Sequence, residues 1–235
     1  MGSLSSRLCE PKRVHNCEFW FKPLNHRLFR IIGKFQITAI GRSILEPKRD
    51  KDVEEGWTEM ARLQKEGKVR WIGVSNFSVA QMKRAAAFSP ITSLQPPHSM
   101  LQRDVEAEIL PYAREHGIGV IAYSPMASGL LTGTWTKERR ESLPEDDWRK
   151  NKNLLFQDPA FDHGKAVAEV LREVGAAHGA TPAAVAIAWV LEKPAVTAAI
   201  VGARAPGQYA DIAEAAGLQL TASDRDRIAH ALSAP

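Results

Sequence analysis

The sequence predicts an α/β protein, a parallel sheet covered by helices, drawn as a (β/α)8 TIM barrel with only its C-terminal half present. Three observations lead there. From Asp52 onward, short apolar runs alternate with runs of helical period. Each connection is long enough for a right-handed crossover between parallel strands. No Gly-x-Gly-x-x-Gly follows any strand, which argues against the open dinucleotide-binding sheet.

The elements follow in order. Val53 to Glu66 reads as an amphipathic helix with Val53, Trp57, Met60, Ala61 and Leu63 on its apolar side, and Gly67 ends it. Val69 to Val74 is a short apolar strand, and Ser78 is the N-cap of a helix from Val79 to Ala87. Ile91 to Gln95 is the next strand. Asp104 caps a helix reaching His116, and Gly119 to Tyr123 is a third strand. A long polar stretch from Thr132 to Pro159 precedes a helix from Phe161 to His178. Thr181-Pro182 is a cap followed by a first-position proline, opening a helix to Leu191. Thr197 to Val201 is the fourth strand, Pro206 begins a helix, and Ser223 caps the last one.

Residues 1–50 read differently from 51–235. The only strand-like run is Phe29 to Ile40, interrupted by Gly33 and Lys34. A βαβ unit takes roughly 30 residues, so four further strand–helix pairs do not fit, and closure of a barrel by one chain is not expected. The open edges would favour self-association.

Composition and charge narrow the function. With 44% hydrophobic and 25% charged among 235 residues, collagen-like and largely disordered classes are excluded. No apolar run approaches the ~18 residues of a membrane span, so no membrane partner is expected. Cys9 and Cys17 make neither a disulfide framework nor a metal knuckle, and a reducing cytoplasm is the expected location. Residues 1–50 hold ten Lys or Arg against four Asp or Glu, a charge of +6, while the rest holds 21 against 23. The overall +4 therefore lies in an atypical basic head, whose cations have no helical period, and nucleic acid is not the expected partner. His98, His116, His163, His178 and His230 show no ligand spacing, so no metal is expected.

Barrels place chemistry on the loops leaving the C-terminal ends of their strands. Ser75-Asn76 leaves one strand, Gln95 ends the next, Tyr123-Ser124 ends the third, and Gly202-Ala203-Arg204 follows the fourth. Amides and hydroxyls there suit a carboxamide, Tyr123 offers a flat face, and an arginine beside a helix N-terminus suits an anion. Each also has a plain structural use: Ser75-Asn76 as a helix cap, Tyr123 as packing, Gln95 as a partner for buried backbone, Arg204 as a solvated loop cation.

At these positions the chain resembles the aldo-keto reductases, over about residues 52–235. Gly67-Lys68-Val69-Arg70-Trp71-Ile72-Gly73-Val74-Ser75-Asn76-Phe77 is similar to the family's fifth-strand signature. Tyr123-Ser124-Pro125-Met126-Ala127-Ser128-Gly129-Leu130-Leu131-Thr132-Gly133 resembles its seventh-strand motif, with Met126 in place of the usual leucine. Pro144 to Arg149, with Phe156, resembles the loop that folds over the cofactor in the bacterial branch. Val201 to Arg204, with Gln208 and Asp211, resembles that branch's NADPH 2′-phosphate and adenine segment.

The resemblance implies NADP(H) as cofactor and a small-molecule carbonyl compound, an aldehyde or ketone, as substrate. Ser75, Asn76 and Gln95 would hold the nicotinamide carboxamide, and Tyr123 would stack on its ring. Ser124, Met126, Ser128 and Leu130 would line the pyrophosphate channel. Gly202, Arg204, Gln208 and Asp211 would hold the adenosine end. The family's catalytic Asp, Tyr, Lys and His find no match: the three tyrosines are Tyr112, Tyr123 and Tyr209, and Phe35-Gln36-Ile37-Thr38 imitates the histidine's strand with threonine in its place. No catalytic residue is therefore assigned. Ala39-Ile40-Gly41-Arg42-Ser43 can be encoded as GCC ATT GGC CGG AGC, which from its third base reads His-Trp-Pro-Glu, the missing run. The head is accordingly read as disordered or as partly out-of-frame translation. Three outcomes stay open: a carbonyl reductase, a non-catalytic nucleotide-binding or regulatory protein like the potassium channel β subunits, and a non-functional fragment.

Overall fold

A computed structural model describes residues 37–39, 53–203 and 206–233. They build one parallel sheet of five strands, β1 (Ile37–Ala39), β2 (Trp71–Ser75), β3 (Ser93–Gln95), β4 (Gly119–Tyr123) and β5 (Val196–Ile200), in sequential order. Each strand pairs with the next along the chain, the singly wound order of a (β/α)8 barrel, here a partial one. Between β4 and β5 the register slips at Val120/Ile121, where Thr197 is the extra residue. Apart from β1, the basic head lies outside the described residues, as do the readings attached to it.

The nine helices among the described residues are α1 (Val53–Lys65), α2 (Val79–Ala86), α3 (Ile109–Glu115), α4 (Lys137–Glu141), α5 (Trp148–Asn151), α6 (Ala160–Ala177), α7 (Pro182–Leu191), α8 (Pro206–Glu214) and α9 (Ala222–Ser233). No single helix among these residues is long and apolar enough to cross a membrane. Alternation along the strands decides which residues meet the helices. Ile72, Val74, Leu94 and Val120 pack with Val53, Trp57, Met60, Met82 and Leu110 of α1, α2 and α3. Period-2 geometry then puts Gly73, Ser75, Ser93, Gln95, Gly119 and Tyr123 on the opposite face, where a barrel has its interior. Trp57 is fully buried, and its indole N–H donates to Ser89 O at 2.9 Å, so burying the ring strands no donor.

A second core lies under α6, where Phe161, Val167, Leu171 and Val174 meet Leu130, Leu131, Trp135 and Phe156. Helix α7 is buried from Ala184 through Val190, the fate of a helix apolar on every side. Its start follows the sequence reading: Thr181 accepts from Ala184 N at 3.2 Å, with Pro182 next. Ser78 likewise caps α2, in a reciprocal capping box with Gln81.

Two readings need correction. The helix expected from Asp104 to His116 is broken into a 3-10 turn (Asp104–Glu106) and α3. Pro111 has no N–H, and its ring would clash with the Ala107 carbonyl, so a continuous helix is barred. Helix α9 begins two residues earlier than a Ser223 cap allows. Thr221 and Asp224 form its box instead: Asp224 N donates to Thr221 Oγ1 at 3.1 Å, and Thr221 N to Asp224 Oδ2 at 2.8 Å. The polar stretch after Thr132 carries α4 and α5, capped by Thr136 and Asp147.

Candidate functional site

The Gln95 carbonyl is the hub of the strand ends. It accepts from Ser75 Oγ at 2.9 Å and from Asn76 N at 3.2 Å. The cap of α2 is Ser78, so Ser75 and Asn76 are not spent on capping. Across the face, Tyr123 Oη donates to Asn76 Oδ1 at 3.0 Å, joining β2 to β4 over the end of β3. Ser75, Asn76, Gln95 and Tyr123 thus form one cluster from three consecutive strands. Burial pushes the Tyr123 phenol above its ordinary value, against the opposing pull of the Asn76 bond. Tyr123 therefore stays neutral and presents a half-buried ring beside an exposed amide.

Backbone conformation marks the same place. The only non-glycine residues with positive φ among those described are Asn76 (59°), Ser124 (57°), Ala127 (50°) and Ser128 (58°). All four lie in the loops leaving β2 and β4. Left-handed backbone costs a non-glycine residue roughly 1–2 kcal/mol, and such outliers concentrate where a loop is shaped for a ligand. Met126 at φ −95°, followed by Ala127 at +50°, makes the right–left pair of an anion-binding nest.

The remaining residues of the β4 loop divide. Ser128 Oγ accepts from Asn153 Nδ2 at 3.3 Å. Met126 is half-buried and packs toward Ala184, Ile187 and Ile212. Leu130 is fully buried, and a Cβ at Gly164 would run into it, so any ligand contact it makes is through its main chain. Trp135 and Phe156, edge to face at 4.8 Å, fix the 132–159 segment to this loop. Arg139 and Arg149 lie over the Trp135 ring at 4.4 and 5.2 Å. Sequence reasoning missed Asn153, a buried amide that caps Leu155 N and reaches Ser128. A buried asparagine between Lys152 and Leu154 carries no sequence signal of its role.

At the end of β5 the chain exposes Gly202 before α8, which carries Gln208 and Asp211. Arg204 lies outside the described residues. The structure thus joins the β2, β3 and β4 residues by hydrogen bonds.

An aromatic face, converging amides and a nest fit a planar carboxamide-bearing ring with an anionic tail. Proton transfer is a different matter. The Tyr123 hydroxyl is held by an amide, not by a lysine or carboxylate. Tyr112 is buried on α3, stacked on His116 at 3.9 Å, and Tyr209 lies on α8.

Residues 34–233 match the model of the aldo/keto reductase family. Among curated proteins, the aldo-keto reductase YhdN of Bacillus subtilis is 36% identical over 177 residues, covering 75% of this chain and 53% of its own. A probable aldo-keto reductase 1 of Glycine max is 39% identical over 141 residues, covering 60% and 40%. The chain spans about half the length of the curated relatives it matches. Among solved structures, a glycerol dehydrogenase of Gluconobacter oxydans superposes with a TM-score of 0.72 at 34% identity, over 80% of this chain and 56% of that one. A thermostable aldo-keto reductase solved with the inhibitor epalrestat gives 0.56 at 26%, over 76% and 54%.

Proposed function

This chain belongs to the aldo/keto reductase family, and on that premise we propose that it binds NADP(H) as the cofactor-binding part of an oxidoreductase that reduces aldehydes or ketones to alcohols. The observation that carries this is the cluster of Ser75, Asn76, Gln95 and Tyr123, with left-handed backbone confined to the same loops. When bound, the cofactor supplies hydride. Ser75, Asn76 and Gln95 orient the carboxamide, and the Tyr123 ring supports one face of the nicotinamide. The loop from Ser124 to Leu130, backed by Asn153, takes the pyrophosphate. Gly202, Arg204, Gln208 and Asp211 take the adenosine end and its 2′-phosphate. Cytoplasmic residence, and self-association through β1 and β5, the edges of the sheet among the described residues, go with this reading.

A second reading has an observation of its own. Tyr123, the tyrosine at the strand ends, has its hydroxyl on the Asn76 amide and not on a lysine or carboxylate that would tune it as a proton donor. That favours a nucleotide-binding protein without turnover, regulatory or vestigial, over an active reductase.

Fluorescence titration with NADPH and NADH tests the site. A bidentate arginine–phosphate contact contributes roughly 1.5–3 kcal/mol, so NADPH is expected to bind about tenfold or more tighter. Arg204→Ala should weaken NADPH and leave NADH nearly unchanged. Equal affinities, or equal losses in the variant, would remove the phosphate assignment. Carbonyl reduction by the purified chain would remove the second reading.

A further inference from the structure

The segment 95–99 leaves β3 and grips its neighbours on both sides. Gln95 O holds Ser75 and Asn76. Tyr123 N donates to Pro96 O at 3.0 Å, and His98 N donates to Tyr123 O at 3.1 Å. Pro96 and Pro97 have no N–H to contribute, and Ser99 N turns back to Gln102 O at 3.1 Å, so a tie to more distant elements calls for a side-chain anchor.

That anchor is the His98 side chain. It is fully buried, with its ring 5.6 Å from Trp189 of α7 at a 33° tilt. Nε2 lies 3.0 Å from Glu106 Oε1. Glu106 is itself held, by Arg103 Nη2 at 2.7 Å and by Lys193 Nζ at 3.3 Å. A carboxylate only accepts, so Nε2 carries the proton. Nδ1 has no hydrogen-bond partner among the described residues, and a second proton there would be a buried, unpaired donor.

We propose that His98 is a positioning residue of the nucleotide site: its Nε2–H bond to Glu106 fixes the 95–99 segment and, through it, the ring of Tyr123. The effect on nucleotide affinity rests on the nucleotide reading above; the effect on Tyr123 does not. The charged groups facing His98 are Glu106, which favours its protonation, and Lys193 and Arg103, which oppose it. Burial outweighs them and keeps His98 below its ordinary value, so it stays neutral at pH 7; in acid the bond to Glu106 is kept, but the added charge and the unpaired Nδ1–H disfavour the buried position of the ring.

The test labels the full chain with 3-fluorotyrosine, giving three 19F resonances, with that of Tyr123 assigned by its loss in Tyr123→Phe. His98→Phe fills the space without the donor, and His98→Gln returns an N–H near the Nε2 position. Ile228→Val, in the α9 core away from the segment, is the stability control. The expected result is a shifted or broadened Tyr123 signal in His98→Phe, with Tyr112 and Tyr209 unmoved, and recovery in His98→Gln. NADPH affinity should fall about tenfold and recover with it. The wild-type Tyr123 signal should move likewise as pH falls below the ordinary histidine range near about 6.5, and that of His98→Gln should not. An unmoved Tyr123 in folded His98→Phe, or an equal change in Ile228→Val, would overturn the proposal. If His98→Phe does not fold, the acid titration decides: a Tyr123 signal unmoved down to the acid unfolding transition overturns it. Failure of the wild type to bind NADPH overturns the nucleotide reading alone and leaves the 19F comparison to judge His98.

Discussion

Gly73→Ala perturbs the sheet and the candidate site together. Gly73 pairs with Ser93 across β2 and β3, on the face that carries Ser75 and Gln95. A Cβ there would press on Ser93 Oγ and stand 2.7 Å from Ser93 O. The hydroxyl can rotate away; the carbonyl belongs to the strand and cannot. Restoring an ordinary 3.4 Å contact moves β3 away by about 0.7 Å. Three bonds between the strands lie in the path: Thr92 N to Ile72 O at 3.1 Å, Ser75 Oγ to Gln95 O at 2.9 Å, and Asn76 N to Gln95 O at 3.2 Å. Lengthened by that much they pass beyond hydrogen-bond distance. At about 1 kcal/mol net each, less roughly 0.5–1 returned by alanine over glycine in a strand, the expected loss is about 2 kcal/mol. Urea denaturation should show a midpoint about 1 M lower with the slope unchanged, and NADPH affinity should fall with it. Gly67→Ala is the control. Its φ of 72° makes alanine unfavourable by roughly 1–2 kcal/mol, but nothing lies within 4 Å of the new methyl, so stability falls and binding does not. Unchanged stability and unchanged affinity in Gly73→Ala would refute the close approach of β2 and β3 as the feature that sets the site.

Asp224 gives an acid-side expectation. Hydrogen bonds from Thr221 (Oγ1 at 2.7 Å and N at 2.8 Å) and from His178 hold its carboxyl down at about 2, against the opposing effect of burial. A depressed carboxyl contributes stability that is present above its unfolded value near about 3.9 and lost as pH falls toward about 2, worth about 2 kcal/mol. Asp224→Asn should be less stable at pH 7 and should flatten that limb of the stability profile; an unchanged limb would remove the assignment. The edges of the sheet give another. Ile200 on β5 is 42% exposed at the end of a strand that is paired on one side only among the described residues. Sedimentation should show concentration-dependent association, reduced by Ile200→Lys; a monomer at all concentrations would refute it.

What could be read without coordinates was whatever the chain encodes locally. Ser78 and Thr181 each sit before a run of helical period, so the caps of α2 and α7 were legible. Gly119 to Tyr123, a short apolar run after the helix-ending Gly117, could only be a strand. Where two local signals compete the reading goes astray. Thr221 and Ser223 both suit a cap, and the choice falls to Thr221 because Asp224 stands three residues on to complete the box. Pro111 decided the break before α3 by a hydrogen it lacks, a local signal that the apolar period masked.

The strand ends were legible for a different reason. In a parallel barrel every strand delivers its last residue to the same rim, so listing Ser75, Asn76, Gln95 and Tyr123 needs the strand positions but no contacts. The contacts themselves were out of reach. Tyr123 meets Asn76 across 47 residues of sequence, and His98 meets Trp189 only because α7 folds back over the end of β3. Nor does any local signal mark Asn76, Ser124, Ala127 and Ser128 as left-handed, because their conformation is imposed by the loops that the core beneath them holds. Sequence therefore locates the rim, and the side chains that hold it in shape become visible only when distant elements are brought together. His98 is of that kind: a histidine with no ligand spacing, whose role lies in the Glu106 carboxylate it meets.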